Sequence, residues 1–137
     1  KALRRGVYLL GNTYTDLMLA QKLIPVSYIS YHTALAIHGI TFQYDATIHA
    51  MALISKTVSV QEKVFRYYQM KEDIFFNPLG IQKEEGYMIA GAERAICDTL
   101  YLSPGFAFDY GDKVDKSKLK QISKIYKNKR LEKEIMQ

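Results

Sequence analysis

Histidine, cysteine and acidic side chains are the groups that could support catalysis here, and their spacing does not bring them into a recognisable site. His32 and His38 lie six positions apart in one predicted helix, which puts them on different faces, and His49 is remote in sequence. No cysteine or acidic residue completes a zinc-like spacing around them. The single cysteine, Cys97, falls within an apolar helix and is predicted to be a buried, inert thiol. We therefore expect no catalytic residue, no metal ion and no cofactor.

One pattern is compatible with an enzyme. Gln61 and Lys63 lie on a predicted strand, with Asp45 upstream. Some metal-dependent nucleases hold Mg²⁺ with an aspartate and a glutamate or glutamine, and place a lysine beside the attacked phosphate. Few acidic ligands accompany these residues, so a solvated strand edge is favoured and a divergent Mg²⁺-dependent nuclease remains an alternative.

The net charge of +5 comes from the C-terminal end of the chain. Residues 1–111 contain ten basic and ten acidic side chains, whereas residues 112–137 contain nine basic and four acidic ones. Lysines on or leading into one face of a predicted helix there are Lys113, Lys116, Lys120, Lys124 and Lys127. We expect this face to contact nucleic-acid phosphates without reading bases, and the alternative is a solvated helix surface. Arg4 and Arg5 form a second, smaller basic feature beside a predicted strand.

Periodicity and turn residues predict an α+β fold. Helices are predicted at Leu17–Leu23, Ser30–His38, Ala92–Leu102 and Asp115–Tyr126, followed by a short helix that contains Leu131 and Ile135. Strands are predicted around Val7 and Tyr8, at Val58–Met70 and at Gly86–Ala90; the apolar run Ile48–Ile54 fits a doubly buried strand or a short helix. This order indicates a small antiparallel or mixed sheet flanked by helices, with a helical basic C-terminus.

Composition also bears on the compartment. One cysteine cannot form an internal disulfide and points to a reducing environment. No signal peptide and no apolar run near 18 residues is present, so we expect a cytoplasmic protein without membrane contact. The chain begins with Lys1 rather than methionine, which suggests a piece of a longer protein.

Three segments carry a family resemblance. The segment from Tyr28 to Ile40 resembles the Y-(I/V)-S-x-x-(S/T)-A-L-x-x-H-G-(I/L) signature of AbiEi-like proteins, the antitoxin and transcriptional-regulator half of abortive-infection type IV toxin–antitoxin systems. The segment from Ile89 to Leu102 resembles their I-A-x-x-E-(K/R)-A-(I/L)-x-D-x-(I/L)-Y-L pattern. Arg5 to Leu9 is similar to the strand that closes their N-terminal winged helix-turn-helix. The signature positions singled out are Tyr28, Ser30, Ala34, Leu35, His38, Gly39, Glu93, Arg94, Asp98 and Tyr101.

The resemblance implies a non-enzymatic, two-part regulator. Residues 1–14 would be a remnant wing strand of the N-terminal domain, and residues 15–137 the C-terminal antitoxin domain. The full-length protein would bind operator DNA, mainly through the missing domain, and repress its own operon. Its functional partner would be a cognate nucleotidyltransferase toxin. The alternative is a generic bacterial DNA-binding or protein-interaction regulator domain.

Physical chemistry gives the signature residues mainly structural roles. Ser30 is expected to cap the first turn of its helix, and Gly39 to end that helix in the left-handed conformation. Glu93 suits a helix N-terminus. Arg94 and Asp98, four residues apart, can pair on one face of their helix, and an exposed pair would be worth about 0.3–0.5 kcal/mol. Tyr101 can fold back on its own helix. The hypothesis is that the signature specifies a scaffold, while function lies on the surrounding surface.

Overall fold

The computed structural model describes residues 13–41, 46–106 and 113–136. Its helices are α1 (Thr13–Leu23), α2 (Tyr31–Ile37), α3 (Glu72–Phe75), α4 (Ala92–Leu102), α5 (Lys116–Ser123) and α6 (Lys129–Met136), with a 3₁₀ turn at Lys124–Tyr126. Its strands are β1 (Ser27–Ile29), β2 (Ile48–Ala52), β3 (Lys56–Val60), β4 (Lys63–Gln69), β5 (Ile81–Glu84) and β6 (Tyr87–Ala90). Arg4, Arg5 and the predicted strand around Val7 lie outside the described residues.

The strands form one mixed sheet in the order β3-β4-β2-β1-β6-β5. Strand β2 runs parallel to β4, and β1 parallel to β6, whereas the remaining neighbours are antiparallel. Every residue of β1 and β2 is buried, because these strands are central and are covered on both faces. The predicted α+β class is therefore confirmed. Of the apolar run Ile48–Ile54, Ile48–Ala52 is a buried strand, whereas Ile54 is exposed.

Helices cover both faces of the sheet. Ala50 and Met51 are consecutive residues of β2, so their side chains point to opposite faces of the sheet. Ala50 is paired with Tyr67 and Met51 with Tyr28, so Tyr67 and Tyr28 also point to opposite faces. The Tyr67 hydroxyl donates to the Ala20 carbonyl at 2.7 Å, which places α1 on the first face. The Tyr28 hydroxyl reaches Asp98 of α4, so α4 lies on the second face, where it packs against α2 and α5.

Three helix predictions agree closely with the structure. Helix α4 has the predicted bounds Ala92–Leu102. Helix α2 lies within Ser30–His38, and Gly39 after it has the left-handed φ of +75°. Helix α5 follows Asp115, whose carboxylate accepts hydrogen bonds from the amides of Ser117 and Lys118.

The hairpins were predicted less well. Val58–Met70, predicted as one bent strand, is the β3–β4 hairpin, in which Gln61 and Glu62 have φ values of +51° and +71°. Two consecutive positive φ values are typical of a two-residue type I′ turn, which usually contains Asn or Gly. Strand β5 was also missed. The first helix begins at Thr13, ahead of the predicted start at Leu17 and of the predicted domain boundary after residue 14.

None of the helices within the described ranges has the combination of length and apolar character that crossing a bilayer demands.

Candidate functional site

The most developed polar arrangement in the structure is an ion pair inside the core. Arg94 and Asp98 occupy successive turns of α4, and both side chains are fully buried. Arg94 Nε lies 3.6 Å from Asp98 Oδ1, an ion-pair contact too long for a hydrogen bond. The predicted pairing is present, but the value for an exposed pair does not apply, since a buried pair has lost its hydration and depends on its other partners.

Three hydroxyl groups complete the surroundings of the Asp98 carboxylate. Tyr28 Oη and Ser30 Oγ donate to Oδ2 at 2.9 and 2.7 Å, and Tyr126 Oη donates to Oδ1 at 2.5 Å. These donors come from β1, from the start of α2 and from the 3₁₀ turn after α5. One carboxylate thus ties three separate segments to α4.

The Arg94 guanidinium connects the same point to the loop before β5. It donates to the carbonyl oxygens of Asn77 at 2.8 Å, Leu79 at 2.7 Å and Ile74 at 2.9 Å, and to Tyr28 Oη at 3.1 Å. A guanidinium has five N–H donors in a fixed plane, which suits several carbonyls converging from one loop. We name the five side chains Tyr28, Ser30, Arg94, Asp98 and Tyr126 the core network.

Burial governs the acid–base behaviour of the core network. It raises the pKa of Asp98 above the usual carboxyl range, while Arg94 and the hydroxyl donors act in the opposite direction. Burial also raises the pKa of Tyr28 and of Tyr126 well above 10. It opposes the charge on Arg94, but the adjacent Asp98 raises the pKa of Arg94 overall. Groups sealed in this way cannot reach a substrate, so the network is suited to holding the fold together.

The capping prediction for Ser30 needs correction. Ser30 occupies the N-cap position of α2 but makes no side-chain hydrogen bond to the first turn, because its hydroxyl donates to Asp98. Glu93, expected to act on the helix dipole, also accepts the backbone N–H of Asp115 at 2.8 Å and so links α4 to the start of α5. Tyr101 packs against the Tyr126 ring at a centroid distance of 5.4 Å.

The remaining signature residues also contribute to the scaffold. Ala34 and Leu35 belong to α2 and are fully buried. His38 Nε2 lies 2.8 Å from the Ala90 carbonyl oxygen, which joins the end of α2 to β6. The Gly39 carbonyl accepts a hydrogen bond from Lys113 Nζ at 2.8 Å. Each of the ten signature positions lies in the described part of the chain, and these contacts are structural.

The basic face of α5 lies on the surface. Lys116, Lys120 and Lys124 are exposed, and we name these three residues the lysine stripe. Leu119 and Ile122, on the other side of α5, are fully buried. Beyond the stripe the helical spacing ends: exposed Lys127 has a left-handed φ of +51° after the 3₁₀ turn. Lys113 is exposed as well, and Arg4 and Arg5 are not described.

Two of the three residues of the nuclease alternative, Gln61 and Lys63, lie in the described part of the chain. Lys63 Nζ is paired with Asp16 Oδ1 of α1 at 2.8 Å, Gln61 lies in the β3–β4 turn, and Asp45 is outside the described residues. Among the residues that are described, no group of three or more His, Cys, Asp or Glu side chains could hold a metal ion. Cys97 is buried, as predicted, and burial raises the pKa of its thiol.

Sequence reasoning missed a cluster of rings at the start of α2. The His32 ring contacts those of Tyr31 and His49 at centroid distances of 4.1 and 5.4 Å, and Tyr31 also contacts Tyr68 at 4.8 Å. Tyr31 has a φ of +58°, a strained backbone conformation for a bulky residue. We name Tyr31, His32, His49 and Tyr68 the ring cluster. No local sequence signal could have identified it, because it depends on the position of α2 over β2 and β4.

Comparison with protein-family models, with curated proteins and with solved structures gave no match for this chain. The functional conclusion therefore depends on the residues themselves and on the contacts that they make.

Proposed function

We propose that this chain is the C-terminal domain of an AbiEi-like antitoxin, which counters a nucleotidyltransferase toxin in a type IV abortive-infection system. In its full-length form the protein also represses its own operon by binding operator DNA through an N-terminal winged helix-turn-helix. It acts in the cytoplasm by contact and charge, without a cofactor and without catalysis.

One observation carries this proposal. The two segments that resemble the family signature are remote in sequence, yet Tyr28 and Ser30 of the first segment both donate to Asp98 of the second, across separations of 70 and 68 residues. Arg94, also in the second segment, donates to Tyr28. A chance resemblance gives no reason for polar signature positions to meet in one buried network. Their meeting supports a scaffold that the signature encodes as a unit.

The proposal is tested by co-expressing the chain with the nucleotidyltransferase encoded beside its gene. We expect the toxin alone to arrest growth and co-expression to restore it, with an empty vector and an inactive toxin as controls. Failure of rescue by protein that is folded and abundant would overturn the antitoxin function. That result would favour a generic DNA-binding or protein-interaction regulator domain.

The lysine stripe is proposed to add sequence-independent contacts to duplex DNA. Changing Lys116, Lys120 and Lys124 together to Glu is expected to weaken binding of a random duplex at least about tenfold. It is also expected to reduce the slope of log K against log salt by about 2 to 3, since each phosphate contact contributes about 0.9. Fluorescence anisotropy across a salt series measures both quantities.

A control variant with the same change in net charge tests whether DNA binds at the lysine stripe itself or is attracted by the positive charge of the whole chain. Lys118, Lys129 and Lys133 are also exposed, and changing them to Glu alters the net charge by the same amount. We expect this control variant to retain most of the binding and of the salt slope. Equal losses in the two triple variants would mean that the lysine stripe is simply a solvated surface.

A further inference from the structure

The face of the sheet that carries the ring cluster continues past the helices onto the outer strands. In β4, Arg66 and Tyr68 point to the same face as His49 of β2, since His49 is paired with Arg66. Arg66 is exposed, as is Thr57, its partner on the edge strand β3. Ser59, two residues along β3, is exposed too. A strip of sheet surface is thus open to solvent beside the start of α2.

The rings along this strip offer stacking surfaces held in fixed positions. Tyr68 and His49 are stacked, with centroids 5.8 Å apart and planes 22° apart, and Tyr68 Oη lies 2.8 Å from His49 Nδ1. Tyr31 contacts both rings, and its hydroxyl forms a hydrogen bond with Ser103 Oγ at 2.7 Å. Tyr68 is half-buried, because these rings pack against it.

The charge on this strip suits an anion. The Arg66 guanidinium lies over the Tyr68 ring, 5.3 Å from the centroid. The side chains that β3 and β4 direct to this face include no acidic residue: Thr57, Ser59, Val64, Arg66 and Tyr68. Arginine over an aromatic ring, next to hydroxyl groups, combines a stacking plane with donors for phosphate oxygens.

We propose that this strip, named the Arg66–Tyr68 face, binds single-stranded nucleic acid. A base stacks on the outer face of the Arg66 guanidinium, whose inner face lies over the Tyr68 ring, while the adjoining phosphate accepts hydrogen bonds from Arg66 and from the hydroxyls of β3. Single strands are favoured over duplexes because only an unpaired base exposes its face to a ring. Stacking tolerates any base, so little sequence preference is expected. The proposal does not depend on the antitoxin function.

The test uses the full chain and fluorescein-labelled strands of about ten nucleotides, which is within the range of known single-strand sites. Oligo-dT and oligo-U distinguish DNA from RNA, and a mixed-sequence duplex of the same length is the third probe. Anisotropy titrations compare the unmodified chain with Arg66→Ala, Tyr68→Ala and Tyr68→Phe. Lys56→Ala is the matched control, because Lys56 is an exposed cation on the same hairpin and, paired with Tyr67, points to the opposite face.

At least one single strand is expected to bind more tightly than the duplex. Tyr68→Ala should weaken that binding about tenfold, the scale of one lost base stack, whereas Tyr68→Phe should change it less than about twofold. Arg66→Ala should weaken it much more than Lys56→Ala. If Tyr68→Ala lowers the melting temperature, its loss of binding could come from unfolding. The proposal is then decided by comparing Arg66→Ala with Lys56→Ala, because both positions are exposed.

Three results would overturn the proposal. One is equal binding of duplex and single strands by a chain in which Lys116, Lys120 and Lys124 are changed to Glu. Another is equal losses in Arg66→Ala and Lys56→Ala, which would reflect net charge alone. The third is a loss in Tyr68→Phe as large as any in Tyr68→Ala. Because the duplex probe reports on the lysine stripe, failure here is distinguishable from failure of the proposed DNA contact by α5.

Discussion

Replacing Arg94 with leucine is expected to leave the chain mostly unfolded at growth temperature. The change removes the counter-charge of Asp98 and the donors that satisfy the carbonyls of Asn77 and Leu79. Removing one partner of a buried ion pair costs about 3–5 kcal/mol, and the orphaned carbonyls add to this cost. Since domains of this kind are stable by about 5–15 kcal/mol, most or all of the stability is lost. Urea denaturation followed by circular dichroism measures the change.

The chain contains a natural control for this experiment. Arg130 and Glu134 form an ion pair with the same four-residue spacing, at 2.7 Å, but they are partly exposed. Arg130→Leu is expected to cost about 1 kcal/mol or less, because solvent screens a surface pair. Similar losses of stability in Arg94→Leu and Arg130→Leu would contradict the central role given to the core network.

Gly80→Ala is expected to cost about 2–4 kcal/mol, because it combines backbone strain with overpacking. Gly80 has a φ of +83°, and a Cβ atom there would lie 2.7 Å from Ile122 Cδ1 and 2.9 Å from Arg94 Cβ. These neighbours belong to α5 and α4, between which the loop before β5 is tightly packed. The midpoint of urea denaturation should fall without a change in the m-value.

Gly39→Ala supplies the matched comparison. Gly39 has a similar φ of +75°, but nothing lies within 4 Å of the Cβ position. Its substitution should therefore cost only the left-handed strain, about 1–2 kcal/mol. The difference between the two variants isolates the packing contribution, and equal costs would show that the close approach at Gly80 relaxes freely.

The sequence predicted the elements whose boundaries carry local chemical signals. Helix α4 combines a long apolar stripe with a Ser103-Pro104 stop, and its bounds were correct. Gly39 was predicted to end α2 in the left-handed conformation, and its positive φ confirms this. The β3–β4 turn carries no such signal, because Gln61 and Glu62 adopt positive φ values that are usual for Asn or Gly, and the hairpin was mistaken for one strand.

The core network could be predicted only in part. The four-residue spacing of Arg94 and Asp98 correctly indicated that they pair on one face of α4. The sequence could not show that this face is buried, since charged pairs on helices usually face solvent. Nor could it show that the Ser30 hydroxyl reaches Asp98 instead of its own helix, because this depends on the packing of α2 against α4.

The ring cluster marks a second limit of local reasoning. His32 and His49 belong to different elements, and their contact follows from the packing of α2 on β2. Successive side chains of a strand point to opposite faces of the sheet, and β4 follows this rule. Phe65 and Tyr67 are buried, whereas Arg66 between them is exposed.

The central claim is that the signature residues build the scaffold and that surface residues carry out the function. It is tested most directly by growth rescue with Asp98→Asn, a variant that keeps one acceptor oxygen for the hydroxyls of Tyr28 and Ser30 and places an amide NH₂ group beside the Tyr126 hydroxyl, which can accept from it. The measurement is the growth rate with co-expressed toxin, at a temperature where circular dichroism shows the variant to be folded. Rescue equal to that of the unmodified chain is the predicted result. A folded Asp98→Asn protein that fails to restore growth would contradict the claim.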